Sequence, residues 1–214
     1  MKTRPREMRI SRRSWLLAGL TVPLFSARAA DSMKVMTDGD NLHVAAPTLH
    51  FLTGKPLERL KYGDVVAYVA QLELLNESRT AVLRPQKGRF VVSYALWEEK
   101  FSVTQLVSTP GGPPGGAVRT AEGLSAAAAE TWCFANLALS TLGLSPTLYY
   151  WLRLELRTGT ERDFADENKI GISIHDLIDL LGRKNTEVTH WGPLETRVRL
   201  ADLPRLAGRG SRNG

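Results

Sequence analysis

Residues Gly88–Val107, GRFVVSYALWEEKFSVTQLV, decide the fold because they have the pattern of two strands that meet at a tight reversal. In the first half, every second residue from Phe90 to Leu96 is apolar, which is the two-residue period of a half-buried strand. In the second half, the apolar residues are Phe101, Val103 and Val107, so the parity of the alternation changes. The stretch therefore predicts two core-forming β segments.

Two arrangements explain the change of parity. A hairpin that turns at Glu98–Glu99 would place Leu96 opposite Phe101. It would also place Tyr94 opposite Val103 on the same face. Two glutamates lack the tolerance of positive φ that favours a tight turn, so a β-bulge in one long, bent strand is the alternative.

The rest of the chain contains more strand patterns than helix patterns. The segment Asp31–Asn41 is polar and is predicted to be frayed, and Pro85 is interpreted as a break between strands. Because the strands occur in runs, we predict an α+β, β-rich fold: a mainly antiparallel sheet or β-sandwich with two covering helices. The predicted strands, besides the opening stretch, are Leu42–Ala46, Val65–Leu75, Thr80–Leu83, Tyr149–Arg157 and Leu194–Leu200; the helices are Ala126–Leu137, capped by Ser125, and Ser173–Leu181.

The net charge of +6 lies entirely in the first 30 residues, which carry seven basic side chains and one acidic side chain. The rest of the chain has 21 basic and 21 acidic residues and is formally neutral. A neutral body has no field that would attract a polyanion, so the charge gives no support for nucleic-acid binding. We divide the chain into a signal at 1–30, one β-rich domain at 31–203 and a disordered tail at 204–214.

The first 30 residues have the three parts of an export signal. A basic segment precedes the apolar run Trp15–Phe25, and the small residues Ala27 and Ala29 mark a cleavage site. The apolar run is too short for a bilayer, which needs about 20 apolar residues. We therefore predict cleavage and no stable transmembrane segment afterwards; an uncleaved signal that acts as an anchor is the alternative.

The pair Arg12–Arg13, followed by Ser14-Trp15-Leu16, resembles a twin-arginine translocation signal, with Trp15 in place of the usual phenylalanine. An arginine-rich signal of the general secretory route is the alternative. The resemblance implies folding before export, a location in the periplasm or elsewhere in the bacterial envelope, and the export machinery as a partner.

No residue spacing predicts a catalytic, cofactor or metal site. The four histidines lack metal-ligand spacing, and the acidic segments 38–41 and 161–168 lack the pattern of a calcium loop. Cys133 is the only cysteine and is predicted to be a buried apolar residue. Trp97 and Trp191 adjoin loop-like segments and are the candidates for a ligand groove, with core packing as the alternative.

Three segments resemble a family of short exported bacterial proteins, the domain-of-unknown-function family numbered 4390. They are SYALWEEKFSVT at 93–104, LSAAAAETWCFANL at 124–137 and YYWLRLEL at 149–156. The resemblance covers roughly Leu42 to Leu203 and implies an envelope location. The resemblance assigns a catalytic role to no residue of this chain.

The sequence therefore predicts an exported envelope protein that acts as a non-catalytic binding or accessory module, through a strand edge or an aromatic groove. No cofactor is predicted, and a second envelope protein is the candidate partner. The alternative is a twin-arginine-exported enzyme whose site is assembled from distant residues, for example His190, Asp176 and Glu98. A histidine and a carboxylate within hydrogen-bond distance in a concave pocket would favour the enzyme.

Overall fold

The computed structural model describes residues 33–107, 117–164 and 188–206, which form two antiparallel sheets and three helices. The predicted α+β, β-rich class is therefore confirmed. The strands are β1 Lys34–Asp38, β2 Asn41–Ala45, β3 Val66–Leu75, β4 Val82–Ala95, β5 Lys100–Val107, β6 Ala117–Leu124, β7 Ala138–Ser140, β8 Tyr149–Thr158 and β9 His190–Arg199; the helices are α1 Gly54–Lys61, α2 Ala126–Ala135 and α3 Glu161–Phe164.

The larger sheet has six strands in the order β6-β5-β4-β3-β8-β9, and all of its pairs are antiparallel. Its inner face carries the core because apolar residues occupy alternate positions on strands β4, β3 and β8. On β8 the alternation predicted from the sequence is confirmed, since Leu152, Leu154 and Leu156 are buried and Arg153 and Glu155 are not.

The opening stretch forms the predicted hairpin, β4 and β5, but the predicted pairing of its residues is wrong by one position on each strand. Tyr94 faces Phe101 and Ala95 faces Lys100, so the loop has four residues, 96–99. Glu99 takes up the reversal in a left-handed conformation, with φ of 52°. Because side chains alternate between the two faces, the altered pairing keeps Phe90, Val92, Phe101 and Val103 on the core face, whereas Leu96 lies in the loop and is exposed.

Pro85 does not break the chain as predicted: β4 is one strand of 14 residues, and Pro85 faces Glu73 of β3 within it. Strand β5 begins to pair with β4 only at Arg89, so the earlier part of β4 lacks that neighbour. Proline is tolerated there because its missing N–H does not interrupt a ladder with β5.

The smaller sheet has the order β1-β2-β7 and packs with α2 against the inner face of the larger sheet. Strand β1 contradicts the prediction that residues 31–41 are frayed, because it pairs along its full length with β2. Residues 204–206, the start of the predicted tail, extend this sheet: the Thr37 N–H donates to the Pro204 carbonyl at 2.9 Å, and the Leu206 N–H donates to the Thr37 carbonyl at 2.8 Å.

The outer face of the larger sheet carries ion pairs, and α3 covers part of it. Phe164 of α3 is buried against Ala67 and Val69 of β3. Beside it, the Asp163 carboxylate accepts hydrogen bonds from the Arg157 guanidinium and from the amide and hydroxyl of Thr160. Burial alone would raise the pKa of Asp163, but these hydrogen bonds outweigh it and hold the pKa well below its usual range.

Several predictions lie outside the described residues: the export signal with Arg12, Arg13, Ala27 and Ala29, the helix Ser173–Leu181, and Asp176. Of the helices that are described, none is long and apolar enough to cross a bilayer.

Candidate functional site

A cleft of about 400 Å³ opens between α2 and the small sheet. Its volume is within the range of about 300–1,000 Å³ that is typical of small-molecule pockets. Most of its walls are apolar, and its polar members are Lys34, His43, His50, Glu130 and Thr131. The apolar walls come from Met36, Val44, Ala45, Ala46, Pro47, Leu49, Ala127, Phe134, Ala135 and Leu206.

The composition of α2 explains why a cleft exists at this place. Ala127, Thr131 and Ala135 recur every four residues, so they lie on one side of the helix, and all three are exposed. Two of these side chains are single methyl groups, which leave space between the helix and the sheet. The facing wall is the half-exposed side of β1 and β2, where Met36 lies opposite His43.

Glu130 joins α2 to the segment that leads into α1. One carboxylate oxygen accepts hydrogen bonds from the amides of Phe51 and Leu52, at 2.7 and 2.8 Å. The other oxygen lies 2.9 Å from His50 Nδ1. Glu130 is only 6% exposed, so these three contacts supply the partners that a nearly buried carboxylate requires.

The same contact orients the imidazole of His50 at the mouth of the cleft. Glu130 accepts from Nδ1, so Nε2 is the ring nitrogen left to contact a ligand, and the His50 side chain is 60% exposed. A carboxylate-oriented imidazole can accept or donate a proton. The Thr131 hydroxyl donates to the Ala127 carbonyl, and the residues that line the described cleft include no serine or cysteine, so they offer no activated nucleophile.

Two further titratable groups lie buried near Glu130. Cys133 and Tyr68 are both inaccessible to solvent, as predicted for Cys133. Burial raises the pKa of both groups, and the negative charge of Glu130 raises each further. Within the described residues the Tyr68 hydroxyl has no hydrogen-bond partner. Both groups stay protonated at neutral pH, and a buried, protonated thiol is a poor nucleophile.

Among residues 33–107, 117–164 and 188–206, no group of three histidine, cysteine, aspartate or glutamate side chains could hold a metal ion. The Asp38–Asn41 segment forms the turn between β1 and β2, with Gly39 at positive φ. Asp163, in the other acidic segment, accepts hydrogen bonds from the Arg157 guanidinium and the Thr160 amide.

The candidate groove residues Trp97 and Trp191 lie in different surroundings and do not line the cleft. Trp97 is fully exposed in the β4–β5 loop. Trp191, at the start of β9, packs against the core rings of Phe51 and Tyr68, with centroids 6.2 and 5.9 Å away. The aromatic ring that does line the cleft is that of Phe134.

The residues named for the alternative enzyme site are also dispersed. Glu98 lies in the hairpin loop, and His190 begins β9, where it faces Arg157. The histidine and carboxylate that do meet in a concave pocket are His50 and Glu130, which are 80 residues apart. Sequence reasoning missed this pair. The available signal was a single glutamate among the apolar residues of α2, between Ala129 and Cys133.

No protein-family model, curated protein or solved structure matches the chain. The fold and the site together define a class: a β-rich α+β protein with an apolar cleft and one carboxylate–histidine pair at its mouth.

Proposed function

We propose that this protein is exported to the bacterial envelope and acts there as a binding module, with the cleft between α2 and the small sheet as its binding site. The observation that carries the proposal is the cleft itself, whose apolar walls are accompanied by few polar groups. This combination suits a ligand with an apolar body and a polar end, because apolar burial supplies affinity and a few polar groups fix orientation.

The polar end of the ligand is expected to be acidic. Lys34 supplies a cationic group, whereas the one carboxylate among the lining residues, Glu130, already accepts three hydrogen bonds. Export itself is supported by the three-part signal in the first 30 residues.

The cleft can be tested with the apolar fluorescent probe 1-N-phenylnaphthylamine and the purified, exported protein. Ala127→Trp places a large ring on the cleft wall and should weaken probe binding by at least about tenfold, since Ala127 is exposed and lines the cleft. Ala128→Trp is the matched control, because Ala128 is also exposed on the same helix but does not line the cleft. Equal binding by both variants would refute the proposed site.

A second candidate function is proton-transfer catalysis by His50. The specific observation that favours it is the 2.9 Å contact with Glu130, which leaves Nε2 at the cleft mouth. Any molecule that co-purifies with the protein can be extracted and followed by mass spectrometry during incubation with fresh protein. If His50→Asn retains binding but abolishes conversion, the protein is an enzyme; if wild-type protein returns the molecule unchanged, it is a binding module.

A further inference from the structure

The loop between β4 and β5 presents apolar side chains to solvent at the end of a paired hairpin. Trp97 is 100% exposed and Leu96 is 52% exposed. The strands remain paired up to Ala95 and Lys100, directly before and after the loop. Large apolar side chains exposed together on a projecting loop are typical of surfaces that bind another molecule. We call residues 96–99 the hairpin tip.

The hairpin tip has the chemistry that the cleft is suited to bind. Its apolar part is the pair Leu96 and Trp97, and its acidic part is the pair Glu98 and Glu99, both exposed. The cleft has apolar walls, a volume of about 400 Å³ that can admit an indole ring, and Lys34 and two histidines among its polar groups. The tip therefore matches the cleft in apolar character and in charge, with two glutamates on one part of the chain and a lysine on the other.

The hairpin tip does not occupy the cleft of its own chain, because Trp97 is fully exposed. The paired strands also keep it in place at the end of the sheet. The cleft that it can enter therefore belongs to another molecule.

We propose that this protein self-associates by inserting the hairpin tip of one copy into the cleft of a second copy. The indole of Trp97 enters the apolar part of the cleft, and Glu98 and Glu99 approach Lys34 and the histidines at its rim. Two copies that exchange tips reciprocally form a closed dimer with twofold symmetry. This inference rests on the proposed function, because it names the partner of the same cleft.

Mixing two variants tests the contact directly. Trp97→Ala removes the indole ring of the hairpin tip and leaves the cleft unchanged. Ala127→Trp fills the cleft and leaves the hairpin tip unchanged. Each variant alone should be monomeric by sedimentation velocity at concentrations where the wild type is dimeric, with self-association weakened roughly thirtyfold or more, as expected when a tryptophan anchor is truncated. An equimolar mixture should form a heterodimer, because one complete tip–cleft contact is restored.

Two matched controls accompany the mixture. Leu142→Ala removes a leucine that is 66% exposed and lies outside both the tip and the cleft, and Ala128→Trp adds a ring beside the cleft. Both should dimerise like the wild type. Circular dichroism of each variant confirms folding, and all the substituted residues are exposed.

The proposal is overturned if the wild type is monomeric up to several hundred micromolar, or if Trp97→Ala dimerises as strongly as the wild type. A monomeric protein that binds phosphatidylethanolamine vesicles through Trp97 would also overturn it and would make the tip a membrane contact. Binding of 1-N-phenylnaphthylamine separates the two proposals, since a monomer that binds the probe in the cleft retains the proposed function and loses only the self-association.

Discussion

Glu130 is a nearly buried carboxylate whose two oxygens together accept three hydrogen bonds. Two of the donors are the consecutive amides of Phe51 and Leu52, so one side chain positions both the backbone before α1 and the ring of His50. The cleft wall therefore depends on a contact between segments about 80 residues apart. Such contacts cannot be read from local spacing, which is why the pair was not predicted.

We predict that Glu130→Ala lowers the free energy of unfolding by about 3 kcal/mol, because two buried amides lose their acceptor. Glu130→Gln keeps one acceptor oxygen and should cost less, about 1–2 kcal/mol. Urea denaturation with an unchanged m-value measures both effects. Thr131→Ala, an exposed change one residue away, is the control and should stay within about 0.5 kcal/mol of the wild type. A loss of no more than about 0.5 kcal/mol for Glu130→Ala would show that the hydrogen bonds of Glu130 do not stabilise the fold.

Asp163 gives a prediction of pH dependence. Its pKa is lowered in the folded protein, so the carboxylate stabilises the fold above its unfolded pKa of about 3.9. This stabilisation is lost as the pH falls through the folded pKa. Asp163→Asn should cost about 1–2 kcal/mol at pH 7, a value reduced because Arg157 is 30% exposed.

The difference in unfolding free energy between the wild type and Asp163→Asn should shrink as the pH falls from 4 to 2, in line with a carboxyl that titrates below about 3.9. Chemical denaturation at several pH values measures this difference. If this difference in unfolding free energy stays constant down to pH 2, the Arg157 contact does not control the titration of Asp163.

Among the secondary-structure elements, β4 packs closely at Gly88 against Leu137, which lies between α2 and β7. A Cβ built on Gly88 would lie 2.3 Å from Leu137 Cδ2 and 3.0 Å from the ring of Phe90. Leu137 and Phe90 are fully buried, so neither can move into solvent. A glycine is required here for space rather than for backbone conformation.

Gly88→Ala should therefore destabilise the protein by about 1–3 kcal/mol through overpacking. Leu137→Ala alone should also destabilise it by about 2–5 kcal/mol, because it leaves a cavity. The double variant should be more stable than the sum of the two losses predicts, since each change relieves the other. Thermal or urea unfolding of the four proteins completes the cycle, and additive losses would show that the two residues do not compete for the same space.

The elements with strong local patterns were predictable from the sequence, and those defined by distant partners were not. Strand β8 alternates without interruption, and Ser125 accepts a hydrogen bond from the Ala128 amide as the predicted cap of α2. Strand β1 was missed because Val35 is its only buried residue, so its pairing with β2 and with residues 204–206 decides its structure. The pairing within the opening hairpin was wrong because loop length, rather than hydrophobic pattern, sets it.

For the whole molecule, the basic first 30 residues, which contain the pair Arg12–Arg13, lead to a prediction about export. If Arg12 and Arg13 form a twin-arginine signal, replacing both with lysine should retain the full-length precursor in the cytoplasm. Cell fractionation and intact mass measure the outcome, and wild-type protein should lose a segment that ends near Ala29 or Ala30. Lys2→Arg is the control, because it keeps the charge and leaves the pair intact.

Export of the double-lysine variant at the wild-type rate would assign the signal to the general secretory route instead. Retention of the full-length mass in the envelope would identify the uncleaved signal as an anchor.

Cys133 gives the molecule a built-in reporter. It is the only thiol in the sequence, and in the folded protein α2 and the sheets exclude solvent from it. A maleimide or disulfide reagent can therefore react only when the core around α2 opens, so the rate of modification under native conditions measures that opening. The same property allows a fluorophore to be attached selectively to a cysteine introduced on the surface, with the native thiol left unmodified.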